Sequence, residues 1–173
     1  DLGLASTDLL YFAAGSLDAP GAMFTASHNP AQYNGIKFCL SGARPVGVDS
    51  GLNDIREVAM RELAQPSASV ASRGQLSQRN LLDAFADHVV RFVDQDQLIP
   101  LKVVADTANG MGGLVVPAVC ERLPQIQLEV MFGELDGTFP NHPADPIQPA
   151  NQKDLQARVL SGGFDVGLAF DGD

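Results

Sequence analysis

Leu101-Lys102-Val103-Val104-Ala105-Asp106, introduced by Pro100 and followed by Asn109-Gly110-Met111-Gly112-Gly113, reads as an apolar strand running into a tight turn. Residues 114–123 then predict a helix, and Leu128-Glu129-Val130-Met131-Phe132 a second strand. A long loop rich in Gly, Pro, Asn and His follows. Residues 152–160 predict another helix, and Asp165-Val166-Gly167-Leu168-Ala169-Phe170 a last strand that ends at Asp171-Gly172-Asp173. Strand, helix, strand, helix, strand in this rhythm is an α/β unit on a largely parallel sheet. The glycines after the first strand do not complete a dinucleotide fingerprint. Val115 stands where the last glycine belongs and no clear acidic partner follows, so a tight βα turn is the better account.

Upstream, the pattern is shorter and more broken. Ser6-Thr7-Asp8 caps a helix over Leu9-Leu10-Tyr11-Phe12-Ala13-Ala14 that Gly15 is expected to close. After Pro20, Gly21-Ala22-Met23-Phe24-Thr25-Ala26 reads as a short buried strand, broken by Ser27-His28-Asn29-Pro30. Gly35-Ile36-Lys37-Phe38-Cys39-Leu40 is a second strand, and Ser41-Gly42-Ala43-Arg44-Pro45 a turn. Residues 52–65 carry Leu52, Ile55, Val58, Ala59 and Leu63 on one helical side. Residues 65–75, polar and small, are expected to form a surface loop. Leu81, Leu82, Phe85, Val89 and Phe92 give a further helix stripe, read as core or interdomain packing that bridges two halves. The join falls between Asp94 and Pro100, which divides the chain into domains at 1–96 and 97–173. No repeat of solenoid period is visible.

The 173 residues have a formal charge of -10, which argues against nucleic acid, whose phosphates call for Lys and Arg. It does not exclude a small phosphorylated substrate, because a few local groups and a bound divalent cation overcome a negative global field. Cys39 and Cys120, far apart, form neither a disulfide framework nor a zinc cluster and are expected to be reduced packed thiols in a cytoplasmic protein. No apolar run is long enough to span a membrane, and Asp1-Leu2-Gly3-Leu4 lacks the basic start of a leader.

Two short stretches carry chemistry. Thr25-Ala26-Ser27-His28-Asn29-Pro30 puts one hydroxyl where a strand ends in a tight turn, suited to a nucleophile or a covalent phosphate carrier. Backbone N–H groups and His28 could cradle a phosphate there, although a serine in a turn is more often only a turn residue. An acyl-transfer triad is disfavoured: no G-x-S-x-G elbow is present, and His28, next in the chain, is badly placed as a base. At the other end, Asp171 and Asp173 flank Gly172 at the close of a strand. Two hard carboxylates pointing the same way suit Mg²⁺, with a phosphate oxygen on Ser27 as a further ligand; a solvated acidic turn is the plain alternative.

Thr25-Ala26-Ser27-His28-Asn29-Pro30 with Asn34-Gly35-Ile36-Lys37, Asp136-Gly137-Thr138-Phe139-Pro140-Asn141-His142-Pro143 and Phe170-Asp171-Gly172-Asp173 together resemble the signature of the α-D-phosphohexomutases, in the family's order and spacing. The nearest flavour is bacterial phosphomannomutase/phosphoglucomutase. The resemblance implies two α/β three-layer sandwich domains, the first lacking its N-terminal part. It implies a phosphoserine at Ser27 that passes its phosphoryl group to a hexose monophosphate and takes the other phosphate back from a hexose 1,6-bisphosphate. It assigns Mg²⁺ to the Ser27 phosphate, Asp171 and Asp173, and offers Lys37 as the group that contacts substrate and manages a proton. By its residues alone Lys37 is equally a solvated hairpin lysine, and His28 serves equally to place the phosphate or to pin its loop. His142 is expected to order its own loop.

In that family the aspartate loop continues with a third aspartate and an arginine. A third domain selects the sugar, and a fourth grips the non-reacting phosphate. The resemblance therefore implies a fragment, inactive by itself, of an enzyme acting on mannose or glucose phosphates. Two other readings stay open on the residues. A haloacid-dehalogenase-type phosphatase would use Asp171 as nucleophile and Asp173 as acid–base, but would leave residues 25–30 unexplained. A catalytically silent α/β binding module would keep only the scaffold.

Overall fold

The computed structural model describes residues 1–64 and 74–173. Most of the surface loop expected over 65–75 lies outside the described residues. Helix α1 (Thr7–Ser16) starts at Ser6, whose hydroxyl accepts the Leu9 N–H at 3.2 Å, and it runs through Gly15 rather than stopping there. It buries Leu9, Leu10, Ala13 and Ala14. Strands β1 (Gly21–Phe24), β2 (Ile36–Leu40) and β3 (Arg44–Pro45) form an antiparallel sheet in the order β1-β2-β3. Two differences from the sequence reading have simple causes. The expected buried strand is a half-exposed edge strand, because among the described residues only β2 pairs with it and alternate side chains face outward. Part of the expected turn pairs back as β3, with Leu40 opposite Arg44.

Leu10, Ala14 and Cys39 form a small core beneath α1, with Tyr11 and Met23 packed on it. Helix α2 (Leu52–Leu63) has the expected apolar side but buries none of its residues, so amphipathic spacing here found no partner among the described residues. Helix α3 (Leu82–Val90) joins the halves. Its Phe85 ring meets Phe12 of α1 edge-on at 5.7 Å. On its other side Asp83 and Asp87 receive the Arg122 guanidinium at 3.1 and 2.5 Å. Phe92 of the predicted stripe falls past the end of α3 and is exposed.

The second half is more regular. Strand β4 (Leu101–Asp106), helix α4 (Gly112–Cys120), strand β5 (Ile126–Met131), helix α5 (Lys153–Gly162) and strand β6 (Val166–Ala169) follow in turn. The sheet is parallel, in the order β5-β4-β6. Central β4 is the most buried strand, with Val103, Val104 and Ala105 at its heart. The chain leaves β4 toward β5 and returns to its far side as β6. Right-handed crossovers in opposite directions put α4 and α5 on opposite faces, the layered arrangement of an α/β/α unit. They also make the carboxyl ends of β4 and β6 a topological switch point, where such sheets form crevices. Among the described residues no helix is long and apolar enough to cross a membrane.

Candidate active site

The serine loop is the tip of the β1–β2 hairpin. The Thr25 N–H donates to the Gly35 carbonyl at 3.0 Å, one pair beyond the strands, and residues 26–34 make the excursion. Asn29 closes a turn back onto Ala26 through its backbone N–H (3.1 Å) and its side-chain amide (2.9 Å). Ser27 has φ 54°, a left-handed conformation that disfavours a residue with a Cβ by about 1–2 kcal/mol. The Ser27 N–H is held by the Thr25 hydroxyl at 2.9 Å, a local bond that stabilises the strained turn.

The aspartate loop follows β6 and is gripped from several sides. The Met111 N–H, in the turn after β4, donates to the Gly172 carbonyl at 3.0 Å. Gly110 lies so close that a Cβ on it would stand 2.6 Å from that same oxygen. A Cβ on Gly172 would meet the Ser27 carbonyl at 2.9 Å, so glycine is required where the two loops touch. The turn after β4 is itself fixed by Asn109: its amide donates to the Glu134 carbonyl, and its side-chain oxygen accepts from Asn141, both at 2.8 Å.

The two loops bring the predicted residues to one point. Ser27 Oγ stands 2.9 and 3.1 Å from the Asp171 carboxylate oxygens and 3.1 Å from Asp173 Oδ1. Each carboxylate has its own basic neighbour. His28 Nδ1 lies 3.3 Å from Asp171 Oδ2, and Lys37 Nζ lies 2.7 Å from Asp173 Oδ2. Asp173 is the more enclosed, at 8% side-chain exposure against 36% for Asp171. Burial pushes the Asp173 carboxyl up, but hydrogen bonds from Lys37 and Thr25, the Lys37 charge and the Ser27 hydroxyl outweigh it and hold the group below its ordinary value. Lys37 does not stand free in solvent; its ammonium bridges Asp173 and the Thr7 hydroxyl, 3.2 Å away.

Three features of this arrangement escaped the sequence reading. Thr25 both accepts from Ser27 N–H and donates to Asp173 Oδ2 at 2.7 Å, linking the two loops. Its place two residues before the serine was the available signal. Thr7 gave no signal beyond helix capping. His142 orders more than its own loop: its Nε2 lies 3.0 Å from the buried Asp106 at the end of β4, while Nδ1 faces the Pro143 carbonyl at 2.8 Å. Glycines at the βα turn serve close backbone approach, in keeping with a turn rather than a nucleotide site.

A two-unit α/β chain whose hairpin serine faces carboxylates at a sheet's switch point has known counterparts. Family models of phosphoglucomutase/phosphomannomutase match nearly all of the sequence, alpha/beta/alpha domain I over residues 1–65 and alpha/beta/alpha domain II over 83–173. The chain belongs to the phosphoglucomutase/phosphomannomutase family. It is 39% identical to a phosphomannomutase of Salmonella typhimurium over 179 aligned residues, covering all of this chain and 39% of that protein. It is 38% identical to a phosphomannomutase/phosphoglucomutase of Pseudomonas putida, covering all of this chain and 35% of that protein. A crystal structure of a phosphoglucomutase/phosphomannomutase family protein from Burkholderia thailandensis superposes with a TM-score of 0.78 at 31% identity, over all of this chain and 38% of the other. The chain thus spans well under half the length of these relatives.

Proposed function

We propose that this chain is the phosphoryl-carrying part of a phosphohexomutase that interconverts the 1- and 6-phosphates of a hexose, mannose or glucose, through a phosphoserine at Ser27. The observation that carries the reading is the convergence of Ser27 Oγ with two carboxylates, all within 3.1 Å. A plain turn serine has one proton to donate and can satisfy only one carboxylate at a time, so a second one adds nothing to its turn. A phosphoryl group on Ser27 adds about -1.5 to -2 of charge. Facing Asp171 and Asp173 at this partly exposed surface site, it would be repelled by about 4 kcal/mol per unit charge pair at 4 Å. A cation resolves this. The donors are all hard oxygens, which fit Mg²⁺, and the two carboxylates leave room for the waters it retains. Mg²⁺ is commonly held by one or two carboxylates together with phosphate oxygens, so a phosphoryl oxygen on Ser27 would complete the set offered by Asp171 and Asp173. Mg²⁺ held by Asp171, Asp173 and the phosphoserine would neutralise charge on the moving phosphoryl group.

The residues of the chain then have distinct tasks. Ser27 Oγ carries the phosphoryl group; its bond to phosphorus breaks as a sugar hydroxyl oxygen bonds to the same phosphorus in line. The resulting bisphosphorylated hexose turns over and returns its other phosphoryl group to Ser27 Oγ. Lys37, standing as the neutral amine, takes the proton of the attacking hydroxyl, and the ammonium so formed pairs with Asp173. His28, beside Asp171, orients the loop and offers a further N–H to the phosphate.

The test loads the whole protein containing this chain with labelled hexose bisphosphate and maps the label by mass spectrometry. Hydroxylamine-resistant label on Ser27, and loss of nearly all turnover in Ser27→Ala, are the expected results. Hydroxylamine-labile label on Asp171 would replace this reading with the dehalogenase-type phosphatase. No label in the folded protein would favour a silent binding module.

A further inference from the structure

Lys37 is the longest-armed group at the site and the one whose direction is hardest to fix. Its side chain is 38% exposed, and its ion pair with Asp173 sets a distance but not an orientation. A lysine ammonium is a point charge on a flexible stem, so one partner leaves it free to swivel. The second partner is Thr7 Oγ1, at 3.2 Å. The ordinary task for a hydroxyl at this position, capping the helix, is already filled: Ser6 accepts the Leu9 N–H. The Thr7 proton points to Met23 Sδ at 3.6 Å, a weak acceptor on the strand beside Lys37, and this turns an oxygen lone pair toward Nζ. Helix α1 is anchored behind Thr7 by buried Leu9, Leu10, Ala13 and Ala14, so the hydroxyl rides on a rigid support.

We propose that Thr7 is a positioning residue for Lys37. With Asp173 and Thr7 each taking one N–H, the third position on Nζ, the lone pair of the neutral amine, has a single direction left, and the attacking sugar hydroxyl meets it there. This deepens the mutase reading and rests on it for its kinetic consequence, but the tether itself does not depend on turnover.

The experiment uses the whole protein with Thr7→Val, which keeps the shape and removes the hydroxyl, and Thr7→Ser, which keeps the hydroxyl. The first readout, taken without Mg²⁺ or sugar, is the rate at which a water-soluble acylating reagent labels Lys37, measured by mass spectrometry against Lys102 and Lys153 in the same sample. The second is kcat and KM for mutase turnover. Thr7→Val is expected to raise Lys37 labelling several-fold and to lower kcat about tenfold, the effect of one hydrogen bond to a charged group, with KM within about twofold. Thr7→Ser is expected to restore both. Unchanged Lys37 labelling in Thr7→Val overturns the proposal, and so does a Thr7→Ser variant that behaves like Thr7→Val. A labelling change rescued by serine in a protein without mutase turnover would uphold the tether and sink the mutase reading instead.

Discussion

Gly110→Ala is the sharpest test of how the aspartate loop is held, because Gly110 touches none of the residues assigned to chemistry. Its backbone has no positive φ, so alanine is not refused on conformational grounds. It is refused by space. The added Cβ would stand 2.6 Å from Gly172 O, 2.7 Å from its Cα and 2.9 Å from its carbonyl carbon, all backbone atoms that cannot swing away. Moving the oxygen from 2.6 Å to the 3.4 Å at which ordinary contact begins requires a retreat of about 0.8 Å. Part of that retreat falls on the turn after β4, which Asn109 ties down on two sides. The rest falls on Gly172, between the two carboxylates. Overpacking of this kind costs about 1–3 kcal/mol of stability. A displacement approaching 1 Å at a reacting centre lowers turnover by up to about a hundredfold. The expected outcome in the whole protein is a kcat lower by about ten- to a hundredfold and a loss of about 1–3 kcal/mol in urea unfolding. Gly137→Ala is the control, since a Cβ there meets nothing within 4 Å, and should stay within about 0.5 kcal/mol and keep full turnover. Normal kcat in Gly110→Ala would refute the claim that the β4 turn sets the position of the aspartates.

Two further predictions concern stability and association. Burial pulls the His142 imidazole down, but the Pro143 carbonyl, the Asp106 carboxylate and the more distant Asp154 outweigh it, so its folded-state value lies above the ordinary 6.5. A raised value contributes stability that is complete below 6.5 and is lost as pH rises through the folded-state value. Between about pH 6 and pH 8.5 the urea midpoint of the wild-type protein should therefore fall more than that of His142→Gln; equal falls would dismiss the His142–Asp106 pair as a pH-dependent support. The 173-residue chain made alone should self-associate. It leaves β1 as an edge strand, leaves Phe24 and Leu63 at 77% and 83% exposure, and has a groove of about 670 Å³ walled by Leu4, Leu10, Leu17 and Met23. Sedimentation of a single monomeric species at micromolar concentration would contradict this.

What was legible in the sequence was whatever a short window contains. The apolar run Val103–Ala105, the Ser6 cap, the turn chemistry of Asn29-Pro30 and the Asp-Gly-Asp ending are local, and each appears where the residues said it should. The order of chemistry along the chain was also readable, since a serine after one strand and carboxylates after another each imply a loop with a purpose. Their meeting was expected from the ligand chemistry of a phosphate and two carboxylates and from the family resemblance, but no local window specifies its geometry, because Ser27 and Asp171 are 144 residues apart and stand 2.9 Å from each other only through tertiary packing. The same limit hid Thr7 and Thr25, whose hydroxyls matter for groups 30 and 148 residues away. Amphipathic spacing located α2 but carried no more than that: periodicity states that a helix has an apolar side, not what covers it, and among the described residues nothing buries it. The site is therefore best understood as two local turns, each specified by its own residues, whose register depends on a handful of contacts between backbone atoms and small hydroxyls. Those contacts, at Gly110, Gly172, Thr25 and Thr7, carry no charge pattern and no periodicity, and substitutions there separate the position of the site from its chemistry.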